Sequence, residues 1–183
     1  MSCKLDARDY PNNMRKIILS VAVSLDGYIE GPKGEFDWCP PPSKKEMSNF
    51  LLGIDTIFMG RKSYEMAGKS MFRDKERYVF SDTLPEKTKG IYIIRSNMLK
   101  TVSLMQQEKG KNIWLFGGAS LISTFINQNM VDEMWLAFVP IILGGGKPLF
   151  ENIVERKKYR LTESSVSEEY LSVKLARNTN HKK

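Results

Sequence analysis

A chain of 183 residues, 42% hydrophobic and 27% charged, has the make-up of one soluble domain that can bury about 70% of its unfolded surface without staples. No apolar run reaches membrane-spanning length and no apolar secretory stretch opens the chain, so the expected setting is the cytoplasm, away from membranes. The net charge of +7 is partly peripheral, with Lys174, Arg177, Lys182 and Lys183 in the last ten residues, and no basic stripe interleaved with aromatics marks a nucleic-acid surface.

Residues 1–13 read as a loose polar arm, 14–177 as a single domain and 178–183 as a disordered tail. The run 15–23 is apolar enough for a buried strand. A long connection, Ser24 to Pro42, follows with Gly27, Gly31, Pro32, Gly34 and three consecutive prolines; loops of this length in compact domains are usually functional. Ser43 and Glu46 have the capping-box spacing and predict a helix to about Leu52, with Met47, Phe50 and Leu51 on its buried face. Strands are expected over 56–59, 77–80, 91–94, 113–116 and 132–139. Helices are expected over 62–67, ended by Gly68, over 99–108, and after Gly118, where Leu121, Ile122, Phe125, Ile126 and Met130 form a stripe. Residues 141–150 are a Gly/Pro loop, and 160–166 with 170–177 alternate as a terminal hairpin. This order predicts an α/β fold of three layers: a mostly parallel central sheet, helices on both faces and an antiparallel C-terminal hairpin. The apolar strand Met134 to Val139 could pair across a homodimer.

Two strand-to-helix turns carry the strongest chemical signal. Phe116-Gly117-Gly118-Ala119-Ser120-Leu121 leads an apolar strand through two glycines into a helix, whose free N–H groups suit an anion. Met59-Gly60-Arg61-Lys62-Ser63 repeats the device with two cations, which taken alone reads more readily as a solvated turn. Together they suggest a ligand with several phosphates, such as a dinucleotide. Ser81 and Arg95 follow strands, where ligands collect in open α/β sheets, although turn chemistry explains Ser81 and Asp82 equally well. The segment Leu143 to Phe150 reads as an anion nest or, preferably, as a flexible connection with Leu149 and Phe150 plugging the pocket wall.

The single histidine, His181, lies three residues from the end, which removes histidine-based triads and His-rich zinc sites. The two cysteines, Cys3 and Cys39, show no metal spacing and read as free thiols, so no metal is expected. Proton transfer is left to Asp, Glu, Tyr, Lys or water. Glu46 is the candidate acid, with its capping role as a full and preferred structural explanation; Asp26 and Asp37 are further acids in the loop, Asp26-Gly27 reading equally as a turn, and Trp38 either packs over a flat ligand or anchors the loop. The loop itself could act as a lid.

The motifs Ser24-Leu25-Asp26-Gly27-Tyr28-Ile29, Asp37-Trp38, Met59 to Glu65, Phe116 to Ala119 and Leu143 to Phe150, in this order, resemble the dihydrofolate reductase superfold, and within it the bacterial branch containing the C-terminal reductase domain of riboflavin biosynthesis proteins. The resemblance covers roughly Met14 to Arg177 and implies NADPH and hydride transfer to a small pterin- or pyrimidine-like heterocycle or a carbonyl compound. It implies that Gly60, Arg61, Lys62 and Ser63 bind the 2′-phosphate and pyrophosphate side, and that Ser81 and Arg95 lie by the adenosine. Gly117, Gly118, Ala119, Ser120 and Leu121 would cradle the pyrophosphate and back the nicotinamide. Ala22 would meet the carboxamide through its backbone, while Ile29 and the loop after it cover the ring. Dihydrofolate reductases carry a pocket carboxylate on the first helix; here the preceding loop is longer and Glu46 is the nearest match. No clear basic cluster marks a ribose-phosphate site. A non-catalytic nucleotide or small-molecule binder on the same fold is the alternative.

Overall fold

The computed structural model describes residues 14–68, 70–85 and 88–178. The polar arm with Cys3, and residues 179–183 of the tail with His181, lie outside the described residues.

The strands are β1 (Ile17–Ser24), β2 (Tyr28–Glu30), β3 (Ile54–Gly60), β4 (Glu76–Phe80), β5 (Tyr92–Ile94), β6 (Asn112–Gly117), β7 (Glu133–Val139), β8 (Lys147–Pro148), β9 (Tyr159–Val166) and β10 (Leu171–Arg177). The helices are α1 (Lys44–Leu52), α2 (Arg61–Ala67), α3 (Met98–Gln107) and α4 (Ala119–Asn127). Eight strands form one sheet in the order β5-β4-β3-β6-β1-β7-β10-β9. From β5 to β7 every pairing is parallel; β10 runs antiparallel to β7, and β9 antiparallel to β10.

The layers follow from the apolar runs. A parallel strand covered on both faces must be apolar at successive positions, and Ile17, Ile18 and Leu19 are all buried. Ile17, Leu19 and Val23 point to the face covered by Val102 and Met105 of α3 and by Ile122, Phe125 and Ile126 of α4. Ile18 points the other way, into a cluster with Tyr64 of α2 against which Phe50 and Leu51 of α1 pack. Phe58 fills the centre of the first layer, its ring 5.3 Å from that of Phe80 and 5.9 Å from those of Tyr78 and Phe125. Full burial of such a ring contributes roughly 2–3 kcal/mol.

Local signals held where they were strong. Ser43 Oγ accepts from Glu46 N at 3.2 Å and Glu46 Oε2 accepts from Ser43 N at 3.1 Å, which is the predicted capping box. Gly68, at φ +75°, ends α2. Along α4 the stripe is buried at Ile122, Phe125 and Ile126, while Met130 lies past the helix end.

Three expectations are corrected. β7 is hydrogen-bonded on one side to β1 and on the other to β10, so Met134 to Val139 offers no edge for a dimer. The 141–150 segment is not a free connection: Lys147 and Pro148 pair with Tyr28 and Glu30 in a small antiparallel ribbon. Leu149 is buried, but Phe150 is 41% exposed and plugs nothing.

Candidate active site

Chain direction creates a crevice at the carboxyl edge of the sheet. β3 and β6 are parallel neighbours that pair up to Met59 and Gly117, with register shifts between Ile54 and Thr56 and between Phe58 and Met59, yet α2 leaves β3 toward one face and α4 leaves β6 toward the other. Strands whose connections diverge to opposite faces leave a cleft at their carboxyl ends. A second split adjoins it. Pairing of β1 with β6 stops at Leu19 and Leu115, while β1 continues beside β7 to Ser24 and β6 beside β3 to Gly117. Ala22, opposite Ala137, therefore stands on one lip and Gly117 on the other.

The two glycine turns meet. A Cβ built on Gly60 would lie 3.6 Å from Gly118 N and 3.7 Å from Gly117 O, and one on Gly118 would lie 3.5 Å from Ser63 Oγ. Gly117 has φ +129°, a conformation L side chains rarely adopt, and the Gly117-Gly118 peptide is cis. Unlike α1, neither α2 nor α4 has a side-chain cap, so no cap occupies their first N–H groups. Ala119 is buried, Leu121 half-buried and Ser120 exposed at the start of α4.

The charged candidates surround this point less uniformly. Arg61 is paired with Glu65 at 2.9 Å, one turn along α2, and Lys62 is exposed. Ser81 and Arg95, at the ends of β4 and β5, build one turn. Ser81 Oγ accepts from Thr83 N at 3.2 Å and Leu84 N at 3.1 Å. Arg95 donates to the carbonyls of Asp82 and Leu84. Trp38 Nε1 donates to Glu35 O at 3.3 Å within the long loop, and Ile29 is half-buried against the core.

Asp26 does more than turn the chain. Its carboxylate accepts from Ser24 Oγ at 2.6 Å, Gly144 N at 2.8 Å and Leu143 N at 3.2 Å. These bonds, led by that from Ser24, hold its pKa below the ordinary carboxylate value. The glycine-rich turn is thus an anion nest whose anion is internal. Glu46 is exposed and accepts from Ser43 N, from Ser43 Oγ at 2.6 Å, and at both oxygens from Tyr170 OH at 3.2 Å. The Ser43 hydroxyl is the main cause of its lowered pKa, so Glu46 is ionised at neutral pH. Tyr170 was missed in the sequence, because its partner lies 124 positions away and no short motif marks it. Burial pushes up the pKa of the half-buried Cys39 thiol, which makes it a poor nucleophile. Among the described residues no group of three or more His, Cys, Asp or Glu could hold a metal, and no helix is long and apolar enough to cross a membrane.

This topology, with the crevice at the β3–β6 and β1–β6 splits, is the dihydrofolate reductase-like fold of the riboflavin-pathway reductases. The chain belongs to the RibD C-terminal domain family, whose model matches residues 15–172. It is 41% identical over 170 residues to the uncharacterized protein YyaP of Bacillus subtilis (strain 168), covering 84% of this chain and 90% of that one. Among solved structures, the "Putative riboflavin biosynthesis protein" of Shewanella sp. PV-4 superimposes with a TM-score of 0.79 at 26% identity, over 89% of this chain and 99% of that one. A diaminohydroxyphosphoribosylaminopyrimidine deaminase/5-amino-6-(5-phosphoribosylamino)uracil reductase of Thermotoga maritima superimposes with a TM-score of 0.70 at 13% identity, over 90% of this chain and 57% of that one. The family is reductase-like, on a dihydrofolate reductase-like fold.

Proposed function

We propose that this chain is an NADPH-dependent reductase of a small heterocycle or carbonyl compound, working in a reducing cytoplasm. The observation that carries the reading is how closely the two glycine turns meet, such that a Cβ built on Gly60 would lie 3.6 Å from Gly118 N, beside two uncapped helix starts. Such a surface lets phosphate oxygens reach backbone N–H groups without meeting a side chain. When bound, NADPH supplies the hydride; the protein binds, orients and excludes water. Gly117 to Leu121 would hold the pyrophosphate and back the nicotinamide. Gly60 to Ser63 would hold the 2′-phosphate side, Ser81 and Arg95 the adenosine, and the backbone of Ala22 the carboxamide. Ile29, Trp38 and their loop would cover the ring.

If Arg61 reads the 2′-phosphate, it must exchange Glu65 for that group. Arg61→Ala is then expected to weaken NADPH about tenfold, the scale of one charge-assisted hydrogen bond, and NADH by less than about twofold. Titrating both cofactors against protein fluorescence checks the ratio; an unchanged ratio transfers the role to Lys62 or Ser81.

Because Glu46 is ionised, it acts in this reading as an acceptor that orients a water or a substrate N–H, and the oriented water gives the proton. Glutamine keeps the capping box, so Glu46→Gln is expected to lower turnover roughly a hundredfold with NADPH affinity unchanged. Equal turnover would remove Glu46 from the mechanism. The deciding experiment is NADPH consumption measured against pterins, uracil derivatives and quinones. A non-catalytic binder is the second reading, favoured by the exposure and capping role of Glu46; it predicts NADPH binding and no consumption.

A further inference from the structure

We propose that Tyr170, on the turn of the β9–β10 hairpin, is a positioning residue that aims the Glu46 carboxylate at the substrate side of the crevice. The inference rests on the reductase reading and adds a segment that this reading leaves unused.

Three observations carry it. First, the hairpin delivers the phenol to the right edge. Leu171 pairs with Phe138, and Phe138 pairs with Val23, so Tyr170 stands level with Val139 and Ser24 at the carboxyl ends of β7 and β1, and its hydroxyl reaches Glu46 in the first turn of α1. Second, the turn is built to hold it. Ser167 Oγ accepts from Tyr170 N at 3.1 Å and from Glu169 N at 3.3 Å, and donates to Tyr170 O at 3.0 Å; Ser167 N donates to the same carbonyl at 3.0 Å. Third, the fold does not need the bond. The capping box of α1 is complete with Ser43 alone. The helix is already fixed to the sheet through Phe50, whose ring lies 5.1 Å from Trp114 and 5.2 Å from Trp135, with Lys174 4.4 Å over the Trp135 ring. A solvent-exposed hydrogen bond adds little stability, so a phenol placed 3.2 Å from both carboxylate oxygens fixes their direction more than it fixes the helix.

Lys44 and Lys45 precede Glu46 on its own helix, and on the hairpin Glu169 precedes Tyr170 and, with Glu46, acts on the phenol electrostatically. Ser43 is the main cause that lowers the Glu46 pKa, and donation from the phenol adds to it by favouring the ionised carboxylate, so removing the phenol raises the Glu46 pKa in part while Ser43 still holds it down. An acid limb of turnover governed by ionised Glu46 then moves to higher pH.

The test compares wild type, Tyr170→Phe, Glu46→Gln and the double variant. Measured are NADPH binding, the Glu46 carboxylate titration by NMR, and turnover with pterins, uracil derivatives and quinones. Expected for Tyr170→Phe are unchanged NADPH affinity and melting temperature, an upward Glu46 titration with a matching shift of the acid limb, and kcat/KM lowered about tenfold. In the Glu46→Gln background, Tyr170→Phe is expected to change nothing further. An unmoved Glu46 titration, or the same loss in both backgrounds, overturns the assignment. Failure of the wild type to bind or consume NADPH is a separate result; it removes the reductase reading and the role of Tyr170 with it.

Discussion

Gly60→Ala is expected to leave the fold standing and to raise the Kd for NADPH by at least about tenfold. The backbone at Gly60 has φ −75° and ψ 163°, an extended conformation open to any residue. The new methyl would lie 3.6 Å from Gly118 N and 3.7 Å from Gly117 O, ordinary van der Waals distances, so nothing in the protein has to move. Stability should fall by about 1 kcal/mol or less, the difference between glycine and alanine at a helix N-cap. The methyl nevertheless occupies the space between the two turns, which is where a diphosphate would touch both. Calorimetric titration of NADPH into the variant, beside a thermal melt, separates the two effects. Gly53→Ala is the control: its Cβ meets only Phe50 O at 3.5 Å, on the far end of α1. Unchanged affinity in Gly60→Ala with an intact melt would show that the cofactor does not pass between the turns, and the proposed function would fall with it.

How the sequence foreshadowed this site depends on the range of each interaction. The main strands and helices were legible because their signals are local: apolar residues at successive positions in β1, the Ser43–Glu46 spacing, and glycine after α2. The meeting of Gly60 with Gly118 was legible only in part. Each turn is a short motif, but their contact requires β6 to insert between β3 and β1, and strand order is written in no single segment. The strand Met134 to Val139 shows the same limit: its apolar pattern fits an edge or an interior position, and β10, folding back some thirty residues later, decides between them. β2 and β8 have three and two residues, too few for any period to register. Asp26 and Tyr170 were undervalued for one reason. Their partners, Gly144 N and Glu46, are 118 and 124 positions away, so neither contact has a local spacing to betray it.

The ribbon between β2 and β8 is where a single atom should cost most. Gly146 has φ +123°, and a Cβ there would lie 2.1 Å from Glu30 O and 2.8 Å from Gly31 C. Both neighbours are backbone, so no side chain can swing aside; the pairing of Glu30 with Lys147 has to part. Gly146→Ala is therefore expected to lose about 2–4 kcal/mol, combining backbone strain with the forced separation. For a domain of this size that is a fall of roughly 5–15 °C in melting temperature. The loss should be local in origin, because the ribbon is tied on both sides: Asp26 holds Leu143 and Gly144, and Leu149 N donates to Gly27 O at 2.8 Å. Hydrogen exchange should accelerate first at residues 27–31 and 143–149, ahead of the central sheet. Gly144→Ala isolates the cause. Gly144 also has a positive φ, +73°, but a Cβ there meets nothing within 4 Å, so only the left-handed penalty of about 1 kcal/mol is expected. Equal losses in the two variants would mean that the ribbon yields freely, and a loop so easily displaced could not serve as the cover over the crevice that Ile29 and Trp38 are proposed to form.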